Sequence, residues 1–258
     1  MPLIVKSVSK SFGGLTALNN VTLTFTEGRV TAVVGANGAG KSTLFNIIGG
    51  YIQPDSGHVY LSGLLAGNGS VTQITGMLPH RVAAKGIGML FQSVRVFERL
   101  TAVENVLTGF SDQVGERLLS ALIRTQSVRQ EEQRNLGEAM TLLRFVGLGG
   151  KESQPAGTLS FGEQKLLAIA RLLAAKAKVL LLDEPTSGVH PAMVEQLLSL
   201  VQQLAHKDSR IVALIEHNAR VVRQVADTVF TLEQGGLVTD AQEGLVVQEY
   251  REPKAGLA

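Results

Sequence analysis

Gly35-Ala36-Asn37-Gly38-Ala39-Gly40-Lys41-Ser42, followed by Thr43, is the stretch on which the reading of the fold turns. It satisfies G-x-x-x-x-G-K-[ST] at every fixed position, after the β-branched run Val30-Thr31-Ala32-Val33-Val34 and before a helical pattern from Lys41 to Ile48. Glycines in such a loop let backbone N–H groups turn inward around phosphate oxygens, and the adjoining helix adds partial positive charge at its N-terminus. Lys41 is then placed to reach β- and γ-phosphates, and the Ser42 hydroxyl to ligate Mg²⁺. A turn that merely caps a helix would also be glycine-rich. The strand before it and the Lys-Ser pair at its end favour the phosphate reading.

Working outward, short apolar strands alternate with helical patterns, which argues for an α/β fold with a mainly parallel sheet covered on both faces. In such a sheet ligands gather at the strand C-termini. The buried run Val179-Leu180-Leu181-Leu182 ends in Asp183-Glu184-Pro185, so Asp183 is a candidate for the Mg²⁺ shell. Glu184 is a candidate to polarise the attacking water, a role typically worth about 10²–10⁴-fold in rate. The next predicted strand, Ile211 to Ile215, leads into Glu216-His217, and His217 is a candidate for the γ-phosphate. A third strand, near Gly88 to Phe91, ends at Gln92, which is in place to touch both Mg²⁺ and water.

A second helix start lies in LSFGEQKLLAIARLL, Leu159 to Leu173. Ser160 and Glu163 form an S-x-x-E capping box that satisfies the helix by itself, and Gly162 is small enough for a ligand to come close. From Ala102 to Leu148 the pattern is helical, and the charged run Arg124 to Arg134 reads as a solvated face. Gly63 to Gly76 reads as a loop, and its piece Leu64 to Thr75 has no functional reading. The 258 residues carry a formal charge of +2, which gives no footprint for nucleic acid, and no cysteine, which excludes thiolate chemistry. No secretory signal opens the chain and no apolar run is long enough to span a bilayer, so the expectation is a protein soluble by itself.

Phosphate loop, Gln92, the Ser160 stretch, Asp183-Glu184 and His217 occur in one order that resembles the ATP-binding subunits of ABC transporters, from about Leu3 to Tyr250. The resemblance implies a P-loop NTPase of ABC ATPase type: a mainly parallel sheet core, an N-terminal antiparallel β subdomain and a helical subdomain at about 93–178, within one nucleotide-binding domain over 1–258. It implies ATP and Mg²⁺ as cofactors. Nucleotide contacts fall to Phe12 on the adenine, to Gly35, Asn37, Gly38, Ala39, Gly40, Lys41, Ser42 and Thr43, and to Ser160, Phe161, Gly162 and Glu163. In that family two domains pair head to tail, so Ser160 and Gly162 would meet the γ-phosphate held by the partner. Glu184, His217 and Gln92 carry the catalytic roles, and Ser42, Gln92 and Asp183 the metal.

The segment Val94 to Val106, with Val96, Phe97 and Leu100, would receive a membrane permease. SFGGLTALNNVTLTF, LPHRVAAKGIGMLFQ and LIEHNARVV are most similar to the ATPases of branched-chain amino acid importers. Urea or short-amide importers and lipopolysaccharide exporters are near neighbours, and a soluble ABC-type ATPase acting on ribosomes or DNA is a further alternative. The importer reading implies a homodimer or a heterodimer with a related ATPase, an external solute-binding protein, and a place on the cytoplasmic face of the inner membrane. Two departures stand out. Phe161 and Glu163 replace residues of the commonest family form LSGGQ, and His190 stands where Asp or Asn is usual.

Overall fold

In the computed structural model, which describes residues 2–63, 71–110, 126–238 and 245–246, the β-branched N-terminal stretch folds into long antiparallel strands. Strands β1 (Leu3–Phe12), β2 (Leu15–Phe25), β4 (Ser56–Ser62) and β5 (Val71–Gln73) form a sheet in the order β2-β1-β4-β5. Side chains alternate faces along a strand, yet β1 buries Leu3, Val5 and then Val8. A register shift between Val5 and Val8, with Ser7 at φ 51°, re-phases the strand so that all three reach one core. Asn20, at φ 52°, does the same in β2 between Leu18 and Val21.

The second sheet runs β10-β9-β3-β8-β7-β6, from Gly236–Leu237, Thr228–Glu233, Val30–Val34, Ile211–Ile215, Val179–Asp183 and Ile87–Leu90, with β11 (Leu245–Val246) on β9. Strands β3, β7 and β8 are buried along their whole length, which is why they read as apolar runs rather than alternations. All three are parallel, and β9 is parallel to β3. Val33 and Asp183 both pair with Ile215, so β3, β8 and β7 end level and deliver their C-terminal loops to one edge.

Helices are α1 (Lys41–Ile48), α2 (Pro79–Ala84), α3 (Ala102–Leu107), α4 (Gln126–Phe145), α5 (Phe161–Ala174), α6 (Pro191–His206) and α7 (Ala219–Val225). The expected α/β class with a parallel-rich sheet and an antiparallel N-terminal sheet is what the chain adopts. The chain separates into one compact unit of Met1–Met89, Lys178–Thr186 and Glu195–Ala258 and another of Leu90–Ala177 and Ser187–Val194. The first holds both sheets, with Phe25, Phe45, Leu44, Leu181 and Phe230 in its core. The second is helical, with α3, α4 and α5 packed on one another.

Two local expectations need correction. The stretch read as one loop, Gly63 to Gly76, contains β5, whose pairing with β4 is set by hydrogen bonds rather than by apolar content; residues 64–70 lie outside the described ones. The helical pattern from Ala102 breaks after Leu107, and residues 111–125 also lie outside the described ones. Helices α2 and α7 are too short, at 6 and 7 residues, for periodicity to reveal them. Arg129 to Arg134 is exposed on α4 except for half-buried Glu131, while Val128, Asn135, Ala139 and Leu143 form its buried stripe.

Candidate functional site

The loop between β3 and α1 is shaped by glycines with different tasks. A Cβ on Gly35, at φ 145°, would lie 2.1 Å from the Leu232 carbonyl oxygen, and one on Gly40, at φ 101°, 2.2 Å from that of Ala17. The back of the loop is therefore pressed against neighbouring backbone. Gly38, at φ 80°, faces open space, and Asn37 and Ser42 are exposed beside it while Ala39 is buried and Thr43 half-buried. Gly40 caps α1 without any side-chain hydrogen bond, and the first turn holds no acidic residue. The positive end of that helix therefore has neither a side-chain cap nor an acidic residue of its own first turn against it.

Lys41 is 5% exposed, and its ammonium donates to the carbonyls of Gly35 (2.9 Å) and Ala36 (2.8 Å). Burial holds it below the usual lysine range, against the pull of Glu184 and Asp183. Across the sheet edge the Ser42 hydroxyl donates to the Asp183 carboxylate. Burial is the largest influence on Asp183 and raises its pKa; Glu184 adds to this, while Ser42, Lys41 and His217 oppose it. A hydroxyl and a carboxylate that already meet are hard oxygen donors of the kind Mg²⁺ prefers, with phosphate and water completing its shell. No group of three or more His, Cys, Asp or Glu that could by itself hold a metal ion occurs among the described residues, so the donor set does not resemble an all-protein metal cage.

Glu184 follows β7 at φ 47°, a left-handed backbone costing about 1–3 kcal/mol in a residue with a side chain. Its N–H donates to the Ile215 carbonyl (3.0 Å), and its Oε1 lies 2.8 Å from His217 Nε2. The structure therefore joins Lys41, Ser42, Asp183, Glu184 and His217 at one sheet edge. Phe12, at the end of β1 in the same unit, is 46% exposed, with the Lys10 ammonium 5.3 Å from its ring centre and Gly13 and Gly14 at positive φ beside it.

The second unit carries the other candidates. Ser160 caps α5: its N–H donates to Glu163 Oε2 (2.9 Å) and its Oγ accepts from the Glu163 N–H (3.4 Å). Lys151 is ion-paired with Glu163. Phe161 is 42% exposed and sits against Gly188 and the Lys165 ammonium. Gly162 is buried, and a Cβ there would meet Met193 Sδ at 2.4 Å, so its smallness answers packing against α6. His190 Nδ1 accepts the Ala192 N–H at 3.4 Å, which caps α6. Gln92 is exposed beyond β6. In the segment after it, Phe97 is half exposed, whereas Val96 and Leu100 are half-buried.

Three residues to which the sequence alone assigns no role hold these parts. Glu216, between β8 and His217, accepts from Thr186. Asn105 Nδ2 donates to the carbonyls of Phe97, Leu100 and Thr101, and its Oδ1 accepts the Phe97 N–H. Lys165, fully buried, donates to the Ser187 carbonyl at 2.7 Å. In the sequence each stands next to another polar residue, Asn105 after Glu104, Lys165 after Gln164 and Glu216 before His217, so none is marked out by its local pattern.

A glycine loop, an uncapped helix start and level strand ends bearing Asp, Glu and His define a phosphate-loop nucleotide-binding protein. A family model described as ABC transporter matches residues 18–187. The high-affinity branched-chain amino acid transport ATP-binding protein BraF of Pseudomonas aeruginosa is 35% identical over 238 residues, covering 92% of this chain and 90% of BraF. Among solved structures, a nucleotide-free ATP-binding cassette from an ABC transporter superposes with a TM-score of 0.76 at 30% identity, covering 93% of this chain and 90% of that one. The dimeric post-hydrolysis state of the cassette MJ0796 bound to ADP and Pi gives 0.72 at 26% identity, covering 94% and 100%. The chain belongs to the ABC transporter family, as one of its ATPases.

Proposed function

We propose that this chain is the energy-coupling ATPase of an importer for branched-chain or other amino acids. The observation that carries the ATPase half is the Glu184–His217 pair, 2.8 Å apart, at the sheet edge that also holds Lys41 and the hydrogen-bonded Ser42 and Asp183. The importer half is supported by the likeness to BraF along nearly the whole of both chains.

In this reading the loop Gly35–Ser42 and Thr43 cradle the phosphates of ATP, and Phe12 stacks on the adenine. Lys41 leaves the Gly35 and Ala36 carbonyls for the β- and γ-phosphates. Ser42 and Asp183 would hold Mg²⁺, which would neutralise phosphate charge when bound. Glu184 accepts a proton from the water that attacks the γ-phosphorus in line. The bond from that phosphorus to the bridging oxygen breaks so that ADP leaves with the electron pair, and His217 holds Glu184 and the γ-phosphate in register. Positioning and charge supply most of the rate.

A second copy, or a related ATPase, closes the site by presenting Ser160 and the backbone at Phe161, Gly162 and Glu163 to the γ-phosphate. The exposed Phe97 within Val94–Val106 meets a permease subunit, which places the chain at the cytoplasmic face of the inner membrane. An external solute-binding protein completes the assembly. No helix among the described residues is long and apolar enough to cross a membrane, which is in keeping with a peripheral subunit.

The test is purification of the tagged chain from its native membranes in mild detergent, followed by reconstitution of what accompanies it into vesicles. The expected result is a polytopic permease whose vesicles take up leucine only with ATP, and fail to do so with Glu184→Gln. Recovery of ribosomal or DNA-bound partners without a membrane subunit would contradict the reading.

A further inference from the structure

Glu216 is a carboxylate with 4% of its surface exposed, one residue from His217. A buried carboxylate needs donors, and Glu216 finds them on the segments that carry the hydrolytic pair. The Thr186 N–H donates to Glu216 Oε1 at 3.2 Å, and the Thr186 hydroxyl donates to the same oxygen. The His217 N–H donates to Oε2 at 3.2 Å. On the other side of Pro185, the Glu184 N–H donates to the Ile215 carbonyl at 3.0 Å. The turn Glu184-Pro185-Thr186 is thus fastened at both ends to the end of β8. Glu184 needs that fastening, because its φ of 47° persists only where the surroundings over-determine it.

We propose that Glu216 is a positioning residue for ATP hydrolysis: one oxygen fixes Thr186, the other fixes the His217 backbone, and together they hold Glu184 against His217. This rests on the reading of Glu184 as the base. Glu216 acts through its neighbours, so its loss leaves nucleotide binding intact and lowers the chemical step.

The experiment is steady-state Mg-ATP hydrolysis by the full chain and four near-isosteric variants. Thr186→Val removes the hydroxyl donor, Thr186→Ser keeps it, Glu216→Gln replaces an accepting oxygen with a donor, and Glu184→Gln removes the base. We expect kcat to fall about tenfold in Thr186→Val and Glu216→Gln with KM within about twofold, since ångström-scale misplacement costs up to about 10² in rate. Thr186→Ser is expected to stay close to the parent. Parental kcat in Thr186→Val and Glu216→Gln would overturn the proposal. So would an equal loss in Thr186→Ser, which would point to packing, or a rise in KM that accounts for the loss. If Glu184→Gln is inactive while the other three behave as the parent, only the positioning role fails. If Glu184→Gln turns over like the parent, the base reading fails and the positioning role falls with it.

Discussion

Gly35 and Gly38 carry the same letter in one motif and meet opposite constraints. Gly35 has a carbonyl oxygen 2.1 Å from where a Cβ would be, whereas Gly38 has nothing within 4 Å. Gly35→Ala is therefore expected to cost about 3 kcal/mol or more, since backbone must move. Gly38→Ala, strained only by its left-handed φ, is expected to cost about 1–2 kcal/mol. Urea denaturation of both variants checks the contrast, and equal costs would show that the loop back is not pressed on β9 as described. The sequence motif marked both residues but not this division of labour. The pressing partner, Leu232, lies far along the chain and is brought there by the pairing of β3 with β9.

On the scale of elements, α5 begins with a capping box that needs no ligand. Ser160→Ala is expected to cost about 1 kcal/mol of stability without nucleotide, as other caps do, measured by chemical denaturation. For Glu163, burial works to raise the carboxyl pKa, but Lys151 and the Ser160 N–H and hydroxyl outweigh it and hold it low. A carboxyl held low in the folded state contributes stability above its unfolded pKa and loses it as pH falls through the folded value. The Ser160→Ala penalty should accordingly shrink in strongly acidic buffer. The box and the helix were both legible in Ser160, Glu163 and the helical spacing beyond them. Strands β3, β7 and β8 were legible because burial on both faces makes them continuous apolar runs. Glu216 was not, because its part depends on the side-chain reach from β8 to Thr186, which local pattern does not encode. Asn105 is similar: its four bonds to the 97–101 segment are a property of the folded loop.

For the molecule as a whole, the central point is that each of the two units presents a helix N-terminus with a different character. That of α1, in the sheet unit, has no side-chain cap; that of α5, in the helical unit, is already satisfied. The proposed account uses both, the first for the nucleotide a chain holds and the second for the one its partner holds. With the function proposed above, such a site would be complete only in a pair, and ATP would act as the ligand that links two chains. The measurement that tests this most directly is sedimentation velocity of Glu184→Gln with Mg-ATP, with Mg-ADP and without nucleotide. The account predicts a dimer with Mg-ATP and a monomer in the other two conditions. A chain that remains monomeric at saturating Mg-ATP, or that dimerises to the same extent without nucleotide, would contradict it.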